Sequence, residues 1–118
     1  MTCILADDST TQLGIIRQAV MRCGLTVIGE FSNGKDAVDA VLALQPDFLF
    51  TDYTMPYLTG GEMAEQLHAA GSRTHVVLVT AAGQAGIKQT KGVSSILVKP
   101  IGKVLVELAI GRALASRI

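Results

Sequence analysis

The chain has 118 residues, a formal net charge of +0 and a hydrophobic fraction of 49 %. This length predicts one domain over residues 1–118 with an aliphatic core. A neutral chain without a Lys/Arg cluster lacks the basic surface that nucleic-acid binding needs. No basic-then-apolar leader and no apolar run of ~20 residues is visible, so we expect a cytoplasmic protein with no nucleic-acid and no membrane partner. Cys3 and Cys23 lack metal or redox spacing and are predicted to be reduced core thiols.

Short apolar strands alternate with amphipathic helices along the chain. We predict strands over residues 2–6, 26–30, 47–52, 75–79 and 95–98, and helices after Ser9, Asn33 and Thr59 and over residues 102–117. Ser9 with Gln12 and Thr59 with Glu62 have the spacing of capping boxes, and Asn33 is a suitable N-cap. The expected buried positions of the first three helices are Leu13, Ile16 and Val20, then Val38, Val41 and Leu42, then Met63 and Leu67. This alternation predicts a parallel sheet covered on both faces.

The segment over residues 81–92 is the least regular part of the chain. It contains Gly83, Gly86 and Gly92, and Ile87 is its one bulky apolar residue. Each interior glycine costs a helix about 1 kcal/mol relative to alanine. We therefore predict a short or irregular fourth helix here, followed by a fifth and last helix.

Polar side chains stand where four of the predicted strands end. In chain order they are Asp7 and Asp8, Asp52, Thr80, and Lys99. Ligands of open α/β sheets bind at the carboxyl ends of the strands. Carboxylates there suit Mg²⁺, which prefers oxygen ligands, and phosphoryl transfer depends mainly on positioning and on neutralising negative charge.

This set of residues, in this order and at these strand ends, resembles the receiver domains of two-component response regulators. The resemblance covers nearly the whole chain and is strongest to the stand-alone chemotaxis-regulator-like type. It implies a flavodoxin-like, doubly wound sheet of five parallel strands in the order 2-1-3-4-5, with helices on both faces. It also implies a signalling module that accepts a phosphoryl group from a histidine kinase or phosphotransfer protein and then changes its affinity for an output protein.

The resemblance assigns roles to the acidic residues. Asp52 is the phosphoacceptor, and Asp7, Asp8, Asp52 and the main-chain carbonyl of Thr54 are the ligands of Mg²⁺. Each acid alone has a simpler interpretation, since Asp7 is a suitable acid for a helix N-terminus and Asp52 for an Asx turn. The functional interpretation is favoured by their occurrence together.

The resemblance also assigns roles to Lys99 and Thr80. Lys99 carries a point charge on a long stem, which suits contact with a phosphoryl oxygen. Before phosphorylation we expect it to pair with Asp52, and the resemblance implies a cis peptide bond between Lys99 and Pro100. The Thr80 hydroxyl is expected to hydrogen-bond the phosphoryl group. The alternatives are a surface lysine and an ordinary β-branched strand residue.

Two features depart from the family pattern. Receivers usually have Tyr or Phe three residues before the lysine, where this chain has Ile96, and the segment from Thr80 to Lys99 is shorter than usual. An isoleucine cannot swing a ring between two sites. We expect either an output surface different from the usual helix 4–strand 5–helix 5 face, or ordering of the Gly-rich segment on activation.

The last predicted helix is apolar on two sides. One stripe comprises Leu105, Leu108 and Ala109, and the other comprises Val106, Ile110, Ala113 and Leu114. A helix that is apolar on two sides is expected to be buried on two sides. Either the second stripe lies in a deeper core, or it is a surface for a partner or a homodimer.

Three functions compete at this level. The first is phosphorylation-activated signalling, in which the chain catalyses only its own phosphorylation and dephosphorylation. The second is a phosphorylation-independent interaction module that keeps the receiver fold. The third, a magnesium phosphohydrolase, is disfavoured because such enzymes usually have a second acid two residues after the nucleophile, where this chain has Thr54. With no output domain in the sequence, we expect a stand-alone receiver.

Overall fold

The computed structural model describes residues 1–81 and 91–115 and contains one sheet of five parallel strands. The strands are β1 (Thr2–Ala6), β2 (Thr26–Phe31), β3 (Phe48–Asp52), β4 (His75–Thr80) and β5 (Val93–Val98). The described helices are α1 (Thr10–Arg22), α2 (Gly34–Leu44), α3 (Gly60–Ala69) and α4 (Lys103–Ala115). The strand order β2-β1-β3-β4-β5 confirms the predicted fold class. The predicted irregular helix between β4 and β5 lies largely in residues 82–90, outside the described residues.

The three central strands are buried on both faces, which explains their nearly continuous apolar sequences. One face packs against α1 and α4 and carries Leu5, Phe50 and Val79. The opposite face packs against α2 and α3 and carries Ile4, Leu49 and Leu78. The sheet therefore separates two apolar layers, and its carboxyl edge is left for polar side chains. None of the described helices has the length and apolar character of a membrane span.

The predicted helix starts are confirmed by side-chain caps. The Ser9 hydroxyl accepts a hydrogen bond from Gln12 N at 3.3 Å, and Asn33 Oδ1 accepts one from Asp36 N at 2.9 Å. Thr59 and Glu62 form the complete capping box. These bonds satisfy N–H groups that a helix start leaves without partners. They fix where α1, α2 and α3 begin relative to the strand ends.

Two leucines predicted to be buried, Leu42 and Leu108, are 39 % and 47 % exposed. Leu114, which belongs to the second predicted stripe of the last helix, is 42 % exposed. Successive helical residues are turned by about 100°, so a residue next to the buried seam points away from it. The buried seam of α4 is Val106, Ala109 and Ala113, which mixes the two predicted stripes. Its two alanines contribute small side chains to the layer that α4 shares with α1.

Candidate functional site

The carboxyl edge of the sheet gathers the polar residues that the sequence placed at strand ends. Asp7 and Asp8 follow β1, Asp52 ends β3, and Thr80 ends β4. Because β1, β3 and β4 are adjacent, their ends lie side by side. Lys99 follows β5, and its N–H donates to Thr80 O at 2.7 Å. This bond holds the start of the Lys99 turn against the end of β4.

Three carboxylates form the acidic part of the site. One oxygen from each of Asp7, Asp8 and Asp52 lies within 4.8 Å of the other two. Asp7 is only 1 % exposed, Asp52 is partly buried and Asp8 is exposed. Asp7 Oδ1 accepts a hydrogen bond from Ser9 N at 2.9 Å. Asp7 Oδ2 has no hydrogen-bond partner among the described residues, so this buried oxygen remains available to a ligand.

Lys99 reaches two of the three acids. Its Nζ donates to Asp52 Oδ2 at 3.2 Å and lies 3.5 Å from Asp7 Oδ2. The predicted pair between Lys99 and Asp52 is thereby confirmed, and so is the cis peptide bond between Lys99 and Pro100. One ammonium between two carboxylates reduces their repulsion, although the site retains an excess of negative charge.

Burial raises the pKa of the Asp7 carboxyl above its usual value, and the neighbouring Asp52 and Asp8 charges act in the same direction. The hydrogen bond from Ser9 N and the Lys99 charge oppose this increase but do not cancel it. An ionised Asp7 is therefore held at a cost to folding. A divalent cation bound by the three carboxylates would offset that cost.

The donor set fits Mg²⁺. Magnesium takes hard oxygen ligands and commonly binds through one or two carboxylates plus phosphate oxygens and waters. Asp7 has a buried oxygen without a hydrogen bond, and Asp8 and Asp52 contribute oxygens nearby. Thr54 is exposed in the loop after β3, and its carbonyl remains a predicted ligand.

Thr80 is 4 % exposed at the end of β4, and its Oγ1 lies 3.5 Å from Ala81 O. The predicted contact between its hydroxyl and a phosphoryl group remains a prediction. Ile96, the residue found in place of an aromatic, pairs with Leu78 across β4 and β5. Its side chain is partly buried against the α2/α3 layer. It therefore acts as a packing residue in this structure.

Gly60 is a residue of the site that the sequence analysis did not single out. Its N–H donates to Tyr53 O at 2.7 Å, which brings the start of α3 back to the end of β3. A Cβ atom at Gly60 would lie 2.7 Å from Leu78 Cδ2 and 3.0 Å from Asp52 O. The glycine pair at residues 60–61, directly after an N-cap, was the available signal for this close approach.

A family model described as the response regulator receiver domain matches residues 3–110. Among curated proteins, the chemotaxis protein CheY of Thermotoga maritima is 27 % identical over 100 residues, which is 82 % of this chain and 83 % of that protein. A protein-glutamate methylesterase/protein-glutamine glutaminase of Haloarcula marismortui is 30 % identical over 111 residues. The match covers 90 % of this chain but 30 % of that protein.

Among solved structures, a response regulator receiver domain protein from Clostridium thermocellum superposes with a TM-score of 0.84. The superposition covers 98 % of this chain and 95 % of that one at 21 % sequence identity. At this identity the likeness supports the fold alone. The curated relatives include proteins of similar length and much longer ones in which the matching part is a fraction of the whole.

Proposed function

Since the chain belongs to the response regulator receiver domain family of two-component signalling, we propose that it accepts a phosphoryl group on Asp52 with Mg²⁺. The observation that carries this proposal is the position of the Asp52 carboxylate. It lies 3.2 Å from the Lys99 ammonium and within 4.8 Å of an oxygen of each of the two other acids. Residues 1–118 act as one receiver domain in this proposal.

The reaction transfers a phosphoryl group from a donor to the Asp52 carboxylate. A carboxylate oxygen of Asp52 forms a bond to phosphorus while the P–N bond of a phosphohistidine breaks. The departing imidazole nitrogen keeps the electron pair of that bond. With a small acyl phosphate as donor, a P–O bond breaks instead and a carboxylate leaves. The product in either case is an aspartyl phosphate.

The residues around Asp52 have complementary roles. Asp7, Asp8 and Asp52, with the Thr54 carbonyl, would hold Mg²⁺, which neutralises phosphoryl oxygens when it is bound. The Lys99 ammonium exchanges its contact with Asp52 Oδ2 for a contact with a phosphoryl oxygen. The Thr80 hydroxyl donates a hydrogen bond to another phosphoryl oxygen. The buried setting strengthens these electrostatic contacts.

The partners follow from the same proposal. A histidine kinase or phosphotransfer protein supplies the phosphoryl group in the cytoplasm, and an output protein recognises the phosphorylated chain. The chain catalyses only its own phosphorylation and dephosphorylation. Homodimer formation through α4 is supported by its exposed apolar residues, since Val104 is 77 % exposed and Leu108 is 47 % exposed.

Intact mass spectrometry after incubation with acetyl phosphate tests the proposal. We expect a mass increase of one phosphoryl group that requires Mg²⁺ and that is absent from Asp52→Asn. Asp47→Asn, at the opposite edge of the sheet, is the matched control and keeps the modification. Failure of the unaltered chain to gain mass, together with no detectable Mg²⁺ binding, would reject phosphoryl acceptance. It would leave the second candidate, a phosphorylation-independent interaction module, which the packing role of Ile96 favours.

A further inference from the structure

A groove lies between α2 and α3, beside the loop that follows the Asp52 strand. Its volume is ≈ 330 Å³, which is at the lower end of the range of ligand pockets. Its lining residues are Lys35, Val38 and Asp39 of α2, Tyr57 and Leu58 of the loop, and Gln66 of α3. Val38 also belongs to the α2/α3 core layer, and the phosphoryl site described above uses none of the six residues.

Tyr57 is the most unusual residue of the groove. Its φ is +72°, in the left-handed region that bulky side chains rarely adopt. Leu58 N donates to Pro56 O at 2.9 Å, so Tyr57 is the central residue of a three-residue γ-turn. Turns of this kind with positive φ at the central residue are rare and strained. Glycine or asparagine would relieve the strain, yet the chain has an aromatic ring here that is 84 % exposed.

The turn is held firmly on both sides. Pro56 O also accepts a hydrogen bond from Gly34 N at 3.1 Å, which fastens the loop to the start of α2. The capping box of Thr59 and Glu62 fastens the other end to α3. The fastened backbone therefore presents the exposed Tyr57 side chain on the rim of the groove. Strain of this kind is concentrated at functional positions, and exposed aromatic residues are frequent anchors of binding sites.

The charges of the groove indicate the chemistry of its occupant. Lys35 and Asp39 are one helical turn apart on the same face of α2, and both are exposed. Neither forms an ion pair within residues 1–81 and 91–115, whereas the equally spaced Lys103 and Glu107 of α4 do, at 3.5 Å. Val38, which is only 5 % exposed, and Leu58, which is partly buried, form the apolar part of the groove lining. The groove thus offers one cation and one anion around an apolar centre.

We propose that the α2–α3 groove docks a helical segment of a partner protein. The segment inserts an apolar side chain between Tyr57 and Val38, and carries an acid for Lys35 and a base for Asp39 one turn apart. An amphipathic helix in a groove is a common mode of peptide recognition. A second copy of this chain is a poorer occupant, because α4 of one copy in the groove of another is a head-to-tail contact that need not close. The groove exists in the unphosphorylated chain, so the proposal does not depend on phosphoryl acceptance.

In the test, binding peptides are selected on the immobilised unphosphorylated chain. The phage-displayed library contains helical peptides of ~14 residues, about four turns. The test variant is the charge reversal Lys35→Glu with Asp39→Lys, which keeps the net charge. The matched control is the same reversal on α4, Lys103→Glu with Glu107→Lys. We expect peptides with an apolar residue flanked by an acid and a base. They should bind the control normally and the test variant about tenfold or more weakly.

Tyr57→Gly provides a second variant that removes the ring while relieving the backbone strain, so it is expected to fold. It should weaken peptide binding by about tenfold as well. When a selected peptide is added to the unaltered chain, amide chemical shifts should change along α2 and α3. The proposal is overturned by a library with no enriched peptide, or by peptides that bind the test variant as well as the control. Concentration-dependent self-association that the Lys35/Asp39 reversal abolishes would also overturn it, by identifying a second copy as the occupant.

Discussion

The amino and carboxyl edges of the sheet, where the strands start and end, differ in how their polar groups are hydrogen-bonded. At the amino edge, Asp47 Oδ2 accepts a hydrogen bond from Thr2 N at 2.8 Å, and Thr2 Oγ1 accepts one from Asp47 N at 3.3 Å. Beside them, the Thr74 hydroxyl donates to Pro46 O at 2.7 Å. At the carboxyl edge, three carboxylates lie together, and the buried Asp7 Oδ2 lacks a hydrogen bond among the described residues.

The polar groups of the amino edge therefore contribute to stability, whereas those of the carboxyl edge form the candidate site. Hydrogen bonds that join strand starts at the amino edge are satisfied within the fold, so they stabilise it without needing a ligand. Clustered carboxylates at the carboxyl edge repel each other and are only partly compensated by Lys99. A cation and a phosphoryl group would complete that edge. Substitutions at the two edges should therefore differ in kind, and the following predictions proceed from the largest expected effect to the smallest.

Lys99→Met, a substitution at the carboxyl edge, should have the largest effect, and we expect that effect on the rate of phosphorylation. Removal of the ammonium leaves Asp52 and Asp7 without their cation and removes a contact to the transferred group. Loss of one such electrostatic contact slows a reaction by roughly 100-fold or more. The measurement is the rate of acetyl phosphate modification at saturating Mg²⁺. Lys103→Met, an exposed lysine on α4, is the control, and a Lys99→Met rate equal to that of the control would contradict the assigned role.

The same substitution at the two edges should change stability in opposite directions. Without divalent cations, Asp7→Asn should raise the free energy of unfolding by about 1–2 kcal/mol, because it removes a buried, poorly compensated charge. Asp47→Asn should lower it by about 1 kcal/mol, because a charged acceptor becomes a neutral one. Urea unfolding of the two variants measures both changes. Destabilisation by Asp7→Asn would mean that Lys99 already compensates the Asp7 charge.

The pH dependence of stability should identify the same group. The pKa of Asp7 is raised by burial, so the folded chain binds its proton more tightly than the unfolded chain does. Stability contributed by this group is present at low pH and is lost as pH rises from the ordinary aspartate pKa through the raised one. Denaturant unfolding of the unaltered chain and of Asp7→Asn without divalent cations, compared across this interval, isolates the contribution. Parallel pH profiles would contradict it.

The sequence patterns were sufficient for a parallel sheet covered on both faces and for the polar residues of the carboxyl edge, whereas the strand order came from the resemblance to receiver domains. Short apolar runs, helical patterns, capping residues and polar strand ends are local signals, and they located β1, β3 and the helix starts. The orientation of α4 was not predictable in this way, because a helix with apolar residues on several sides does not specify its buried seam. The sheet-facing seam of Val106, Ala109 and Ala113 is decided by packing against α1. The left-handed Tyr57 had no local signal either, since that conformation normally indicates glycine or asparagine.

The smallest predicted effect concerns Glu30, an acid near the carboxyl end of β2 whose side chain is 27 % exposed. The hydrogen bonds from the Arg17 guanidinium, at 2.6 Å, hold the pKa of Glu30 below its usual value, the opposite of the change at Asp7. The stability that this pair contributes is present above the ordinary glutamate pKa and is lost as pH falls through the lowered one. In Arg17→Met, the Glu30 pKa should move back toward its usual value, as measured by carbon-detected NMR titration. Stability should change little, because an exposed pair is screened by solvent. An unchanged Glu30 titration would show that position at this edge, rather than a partner, sets the pKa. Burial would then not be sufficient to explain why Asp7 differs from the other acids.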